Sequence, residues 1–166
     1  SKNMTVSEII ALGRQPYTNW IGTLTGFDIV KIKEVIQMIG LKELADKKCF
    51  ELSDGQLQRV MIARALAHDT HIIMLDEPTT HLDLHHKVQI LKLLRKIAKE
   101  TNKTILFTSH EIELTIQLCD KMLLMNTNSC SFGTPDKLIG SGAFDSLFPS
   151  DTIIFNSETR TFNIND

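Results

Sequence analysis

No apolar run in this sequence approaches the ~18 residues that a membrane-spanning helix needs. The opening residues, Ser1 to Glu8, are polar and hold no apolar stretch of the signal-peptide kind. Cysteine is scarce and odd in number: Cys49, Cys119 and Cys130 stand far apart and form no CxxC pair. Reduced, partly buried thiols are therefore expected, as in a cytosolic protein. Neither sign of charge dominates, since 18 Lys+Arg stand against 20 Asp+Glu for a net charge of −2. A nucleic-acid partner is not expected, because that footprint needs a basic excess or stripe. The small basic group Arg95, Lys96, Lys99 and Lys103 reads as a solvated helix end that offsets the helix dipole. Together these absences exclude the membrane-spanning, disulfide-rich secreted, collagenous and coiled-coil classes. What is present is an ordinary globular mixture, 42% hydrophobic over 166 residues, long enough to bury about 68–70% of its unfolded surface.

Thr5-Val6-Ser7-Glu8, with Val6, Ile9, Ile10 and Gly13 at helical spacing, signals a helix start. Residues 14–26 read as a loop punctuated by Pro16, Gly22 and Gly26, and the single Tyr17 and single Trp20 lie within it. Asp28 is expected to open a second helix with Val30, Ile32, Val35, Ile36 and Ile39 as apolar positions and Gly40 as C-cap. A short turn over 41–46 leads to Leu52-Ser53-Asp54-Gly55-Gln56. A long helix follows to about His68, with Leu57, Val60, Met61, Ala65 and Leu66 as its apolar face. Met61, Met74, Met122 and Met125 are all expected in core positions. Residues 72–75 (Ile-Ile-Met-Leu) form a continuous apolar run ending at Asp76-Glu77-Pro78, the pattern of a strand buried on both faces of a parallel sheet. A helix over 83–100, apolar at Leu84, Val88, Leu91, Leu94 and Ala98, precedes a second such strand at 104–108 ending in Ser109-His110. A further helix and a third strand at 122–125 complete a βαβαβ series, which predicts one parallel sheet. Alternation at 152–156 and 161–164 predicts a terminal hairpin.

Three features of this series carry chemistry. Ser53 is an expected N-cap, and the Gly55 and Gln56 amides at the helix start form an anion site, with Gly55 permitting close approach. Asp76 and Glu77 tip a buried strand, where α/β sheets bind ligands. Asp76 is placed to hold Mg2+ through oxygen, and Glu77 to orient or deprotonate a water. His110 tips the next strand, where an imidazole could contact a phosphate or hold an attacking water. His81 and His85 stand at i, i+4, a spacing that can bind metal, but no further ligand completes a pattern.

In this order the motifs resemble the ATP-binding subunit of ABC transporters. Residues 52–56 resemble the LSGGQ signature, 72–76 the Walker B strand, Glu77 the catalytic glutamate, 80–83 the D-loop and His110 the switch histidine. Residues 5–14 resemble, more narrowly, importers of ferric siderophores, haem and cobalamin. The resemblance implies a partial P-loop NTPase (RecA-like) α/β core with a parallel sheet, an α-helical subdomain and a C-terminal β-hairpin. Its expected divisions are 1–51 (helical subdomain), 52–134 (signature helix and C-terminal half of the ATPase core) and 135–166. It implies ATP and Mg2+ as cofactors, and Glu77 and His110 as catalytic residues with Asp76 on the metal. Ser53, Gly55, Gln56 and Asp83 would face the nucleotide of a second ATPase subunit in a head-to-tail dimer. A transmembrane permease would dock on the helical subdomain, with Tyr17 and Trp20 as candidate contacts or as a small local core. The place implied is the cytoplasmic face of the inner membrane, peripherally bound.

Two departures qualify the resemblance. No Gly-x-x-x-x-Gly-Lys-Ser/Thr occurs in the 166 residues, so this chain alone is expected to be inactive, with hydrolysis belonging to the complete subunit. The alternative is a truncated, non-catalytic binding or regulatory module that cannot hold its own ATP. Without the strands that flank 72–75 and 104–108 in the family, apolar sheet surface would be exposed and the isolated chain is expected to associate or to be partly disordered. Asp54 replaces the first signature glycine. It suits the helix dipole but would repel a phosphate, so its side chain is expected to point away from the nucleotide.

Overall fold

The protein is described by a computed structural model that covers residues 3–126, 130–148 and 151–165. It forms two compact units, Ser1–Thr108 and Ser109–Asp166.

The first unit begins with three helical segments. In α1 (Val6–Ala11), Thr5 and Glu8 make a capping box: the Thr5 hydroxyl accepts from the Glu8 N–H, and Glu8 Oε2 accepts from the Thr5 N–H at 2.7 Å. A 3-10 helix, Leu12–Tyr17, follows where the sequence predicts loop from Arg14. It carries Gly13 into close contact with the third helix, and Arg14 into burial at 3% exposure. The Arg14 Nε donates to Asp28 Oδ1 (2.8 Å), its Nη1 donates to the Ala67 carbonyl (2.9 Å), and its guanidinium lies 4.0 Å from the Tyr17 ring centroid. One side chain thereby ties three segments together. The second helix, α2 (Gly26–Ile39), starts two residues before the expected Asp28. Thr25 is its N-cap and Asp28 completes a capping box, a pairing masked by Gly26 and Phe27. Hydrogen bonds from Thr25, its hydroxyl foremost, and from Arg14 hold the Asp28 carboxyl below the usual carboxylate range. Gly40 ends α2 at φ 74, the left-handed cap the sequence predicts.

The signature-like helix is α3 (Asp54–Ala67). It buries Val60, Ile62, Ala63, Leu66 and Ala67 against Val6, Ile10, Ile32 and Val35. Met61, expected in the core, is 38% exposed, because the small pair Ala63 and Ala67 lies on the buried face instead.

Next comes β1 (Ile72–Leu75), then α4 (Leu84–Thr101), then β2 (Thr104–Phe107), with β1 and β2 parallel in the register Ile72↔Thr104 to Leu75↔Phe107. In α4 the residues Ile90, Leu91, Leu94 and Ile97 are buried, whereas Leu84 in the first turn is exposed. The sheet departs from the expectation of burial on both faces. Ile73, Leu75, Ile105 and Phe107 face the core. The other face leaves Met74 at 74%, Ile72 at 58% and Leu106 at 51% exposure. An all-parallel pair needs cover on both sides, and here one side stays open. Asp69 (φ 58) links the base of this sheet to α2 through Lys103 (2.9 Å) and Lys31 (3.3 Å). Burial pushes the Asp69 carboxyl up, but the two lysines outweigh it and hold it below its usual value.

The second unit holds α5 (Ile112–Leu118), β3 (Met122–Met125), β4 (Cys130–Gly133), α6 (Pro135–Gly140), β5 (Ile153–Asn156) and β6 (Thr161–Ile164). The expected third parallel strand is corrected here: β3 pairs antiparallel with β4, in the register Met122↔Gly133. Four residues separate the two strands, enough for an antiparallel return and too few for a parallel crossover. Met125 is 71% exposed, again outside the core. The β5–β6 hairpin forms where the sequence predicts it. Ile116, Leu124, Leu138, Phe144 and Phe155 make the core of this unit, with the Phe144 and Phe155 rings stacked at 4.7 Å. Cys49 is buried and Cys130 exposed, and none of the three cysteines is in a disulfide. Among the described residues no helix is long and apolar enough to cross a membrane.

Candidate functional site

The carboxylate pair stands where β1 ends. Asp76 is exposed, and Glu77 is half-buried at φ 43. One residue that the sequence reading missed organises both. Thr108, directly after β2, donates its hydroxyl to Asp76 Oδ1 (2.6 Å) and accepts the Glu77 N–H at the same oxygen (2.9 Å). The Thr108 N–H in turn donates to the Leu75 carbonyl (3.1 Å), continuing the β1–β2 ladder past the strand ends. The register was the signal that could have found it: pairing Leu75 with Phe107 places Asp76 beside Thr108. At Glu77, Oε2 accepts from the Thr80 hydroxyl (2.7 Å) and so fixes the carboxylate plane. Pro78 and Thr79 behind it are buried and anchor the turn.

The oxygen donors here fit a hard cation. No group of three or more His, Cys, Asp or Glu capable of holding a metal occurs among the described residues, which also applies to the His81/His85 spacing. Mg2+ is commonly held by one or two carboxylates, with water and phosphate completing its shell. A single exposed Asp76, oriented by a hydroxyl, suits that mode.

A second cluster forms at the start of α3. Ser53 is the N-cap, as the sequence predicts: its hydroxyl accepts the Gln56 N–H (3.3 Å), and Gln56 Oε1 accepts the Ser53 N–H (3.1 Å). The Gln56 amide, expected to point at an anion, is thus engaged inside the cap. Gly55 is buried against α4, where an added Cβ would come within 2.9 Å of His86 Cδ2. Its lack of a side chain therefore serves helix packing as well as any anion approach. Asp83 caps α4, with Oδ1 accepting the His86 N–H (2.9 Å) and Oδ2 lying 2.8 Å from His86 Nδ1. The His86 N–H first, then its ring, hold the Asp83 carboxyl below the usual range.

The first unit thus assembles Asp76, Glu77 and Thr108 at one place, and Ser53, Gly55, Gln56 and Asp83 around the α3–α4 seam. His110 belongs to the second unit, exposed in the turn before α5, where its carbonyl accepts the Ile112 N–H (3.1 Å). In the stretch between the 3-10 helix and α2, Trp20 is 95% exposed and closes no local core, while Tyr17, at the end of the 3-10 helix, donates its hydroxyl to the His68 carbonyl (2.8 Å).

Comparison with known proteins bears on this arrangement. The family model described as ABC transporter matches residues 2–80. An uncharacterised ABC transporter ATP-binding protein of Methanocaldococcus jannaschii is 41% identical over 88% of this chain and 51% of its own length. The achromobactin transport ATP-binding protein of Dickeya dadantii is 34% identical over 90% of this chain and 56% of its own. Among solved structures, a chain of an inward-facing ABC transporter of metal-chelate type superposes with a TM-score of 0.81 at 32% identity, covering 88% of this chain and 59% of that one. The chain spans about half the length of the curated relatives it matches. With the signature-like helix start, the Asp-Glu strand end and the architecture agreeing, residues 2–80 carry the ABC transporter family match, and the chain is similar over most of its length to the ATP-binding domains of ABC transporters, whose fold is of the RecA-like P-loop type.

Proposed function

We propose that this chain forms the helical subdomain and the C-terminal part of the ATPase core in an ATP-hydrolysing importer subunit. The observation that carries this reading is the Thr108 bridge, which holds Asp76 and Glu77 side by side at the end of β1. Asp76 would bind Mg2+, which when present neutralises charge on phosphate oxygens. Glu77, its plane set by Thr80, would hold and polarise the attacking water. His110 would contact the terminal phosphate. Ser53, Gly55 and Gln56 would face the nucleotide of a second subunit, with Asp83 across the same interface. No phosphate-cradling P-loop motif occurs in the 166 residues, so this reading assigns hydrolysis to a complete subunit and not to these residues alone.

The exposed Trp20 and the neighbouring Ile21 (69% exposed), between the 3-10 helix and α2, support a docking surface for a membrane permease on this helical subdomain. Such docking would keep the subunit peripheral, at the cytoplasmic face of the membrane. Similarity to an achromobactin transporter and to a metal-chelate type transporter supports an iron–siderophore or related chelate as cargo.

The test is turnover in the complete, assembled subunit. Glu77→Gln keeps the Thr80 and Thr108 contacts but removes the base, and should lower turnover by about 10²–10⁴-fold with ATP still bound. Turnover within a few-fold of the parent would refute the role given to Glu77.

A further inference from the structure

The seam between α3 and α4 contains one side chain that touches both nucleotide-facing motifs. His86 lies in the first turn of α4. One edge of its ring presents Nδ1 to Asp83 Oδ2 at 2.8 Å, and its backbone N–H holds Asp83 Oδ1 at 2.9 Å. The other edge, at Cδ2, lies so near the Gly55 backbone that a Cβ there would come within 2.9 Å. The ring is held from the flank as well. His85 packs edge-on against it, with ring centroids 5.6 Å apart. His85 is itself locked: Arg59 on α3 donates to Gln89 Oε1 (2.8 Å), which turns the Gln89 amide nitrogen to His85 Nε2 (2.7 Å). That nitrogen of Gln89 can only donate, so His85 Nε2 accepts.

We propose that His86 is a positioning residue that fixes the start of the signature helix, at Gly55, against Asp83. The proposal rests on the reading of residues 53–56 and Asp83 as the nucleotide-facing elements. A single imidazole, hydrogen-bonded on one edge and leaving no room for a Cβ at Gly55 on the other, passes a displacement of Asp83 to the α3 backbone. Gly55 is what permits this, because any side chain would push the ring off. Two titratable groups meet His86 on its own element: Asp83, the N-cap of α4, is bonded to it, and His85 packs against it. Across the seam it meets the Gly55 backbone, with Arg59 one turn further along α3 acting through Gln89. A change of charge on the ring therefore acts on the Asp83 bond at one edge and on the Gly55 contact at the other.

The experiment follows the isotope-labelled chain itself by NMR through the range where imidazoles change charge, about pH 5 to 8, with no nucleotide present. The Gly55 and Gln56 amide resonances are expected to shift with the same midpoint as the His86 ring. In His86→Phe, which keeps a ring against Gly55 but has no titrating nitrogen, that transition should be lost. A Gly55 amide that stays still while the His86 ring titrates in the parent chain would overturn the proposal. So would a Gly55 transition that persists in His86→Phe or disappears only in His85→Gln. The parent titration decides the matter even if a variant fails to fold. Because neither ATP nor a partner enters the measurement, a negative result removes this link and leaves the ATPase reading standing.

Discussion

Gly13 offers a sharp test of how the helical segments are joined. A Cβ built at this position would lie 2.3 Å from the Arg64 carbonyl oxygen and 3.1 Å from the Ala67 Cβ. Ordinary contact begins near 3.4 Å, so Gly13→Ala must part the 3-10 segment from α3 by about 1 Å. Neither side is a flexible side-chain tip that could swing away. Overpacking of this kind costs about 1–3 kcal/mol. The same displacement stretches the adjacent Arg14 bond to the Ala67 carbonyl, 2.9 Å in the structure, beyond useful range. Losing a hydrogen bond from a charged donor costs about 1.5–3 kcal/mol. Together these give roughly 2.5–6 kcal/mol, against a total stability of about 5–15 kcal/mol for an ordinary domain. At about 2–4 °C per kcal/mol for a chain of this size, the melting temperature should fall by about 5–24 °C. Thermal unfolding followed by far-UV circular dichroism reads this directly. Gly26→Ala is the internal control: it lies in the first turn of α2 with nothing within 4 Å of its Cβ, so its effect should be neutral or a gain of up to about 1 kcal/mol. A Gly13→Ala protein that melts with Gly26→Ala would refute the close-approach argument.

Arg14→Met strands the buried Asp28 carboxylate without its guanidinium, so the double variant Arg14→Met/Asp28→Asn should be more stable than Arg14→Met alone in urea denaturation. Asp28, Asp69 and Asp83 all have folded-state pKa values below their ordinary ones. Their contribution is therefore fully present above the unfolded value of about 3.9 and is lost as pH falls through the lower folded values. Denaturation midpoints should drop on acidification below about pH 4, and Asp69→Asn should flatten that drop; an unchanged slope would remove the Lys31–Asp69–Lys103 link from the account. The open sheet face should make the isolated chain self-associate, and light scattering should show Met74→Lys with Leu106→Glu shifting it toward monomer. A parent chain that is monodisperse and monomeric at high concentration would contradict this.

What the sequence made legible was local. Ser53, Asp83 and Gly40 announce their caps through residue type alone, because capping involves atoms only two or three residues apart. Asp76 and Glu77 were legible as a strand end for the same reason. Thr108 and His86 were not, since each acts through a register or a helix–helix seam that no spacing along the chain reveals. The apolar run at 72–75 predicts a strand correctly, yet its composition records burial that this chain does not supply on the Met74 side. The pairing of β3 failed for a related reason: an apolar strand has no mark of direction, and only the nearness of β4 made it antiparallel.

The backbone of Glu77 sets two selective demands against each other. At φ 43 it occupies a region that a glutamate visits reluctantly, and such a residue costs about 1–3 kcal/mol. Glycine or asparagine would relax that turn. A search for hardier variants of this protein, scored on heat resistance alone, would thus be drawn to replace Glu77 and would discard the carboxylate on which the proposed chemistry depends.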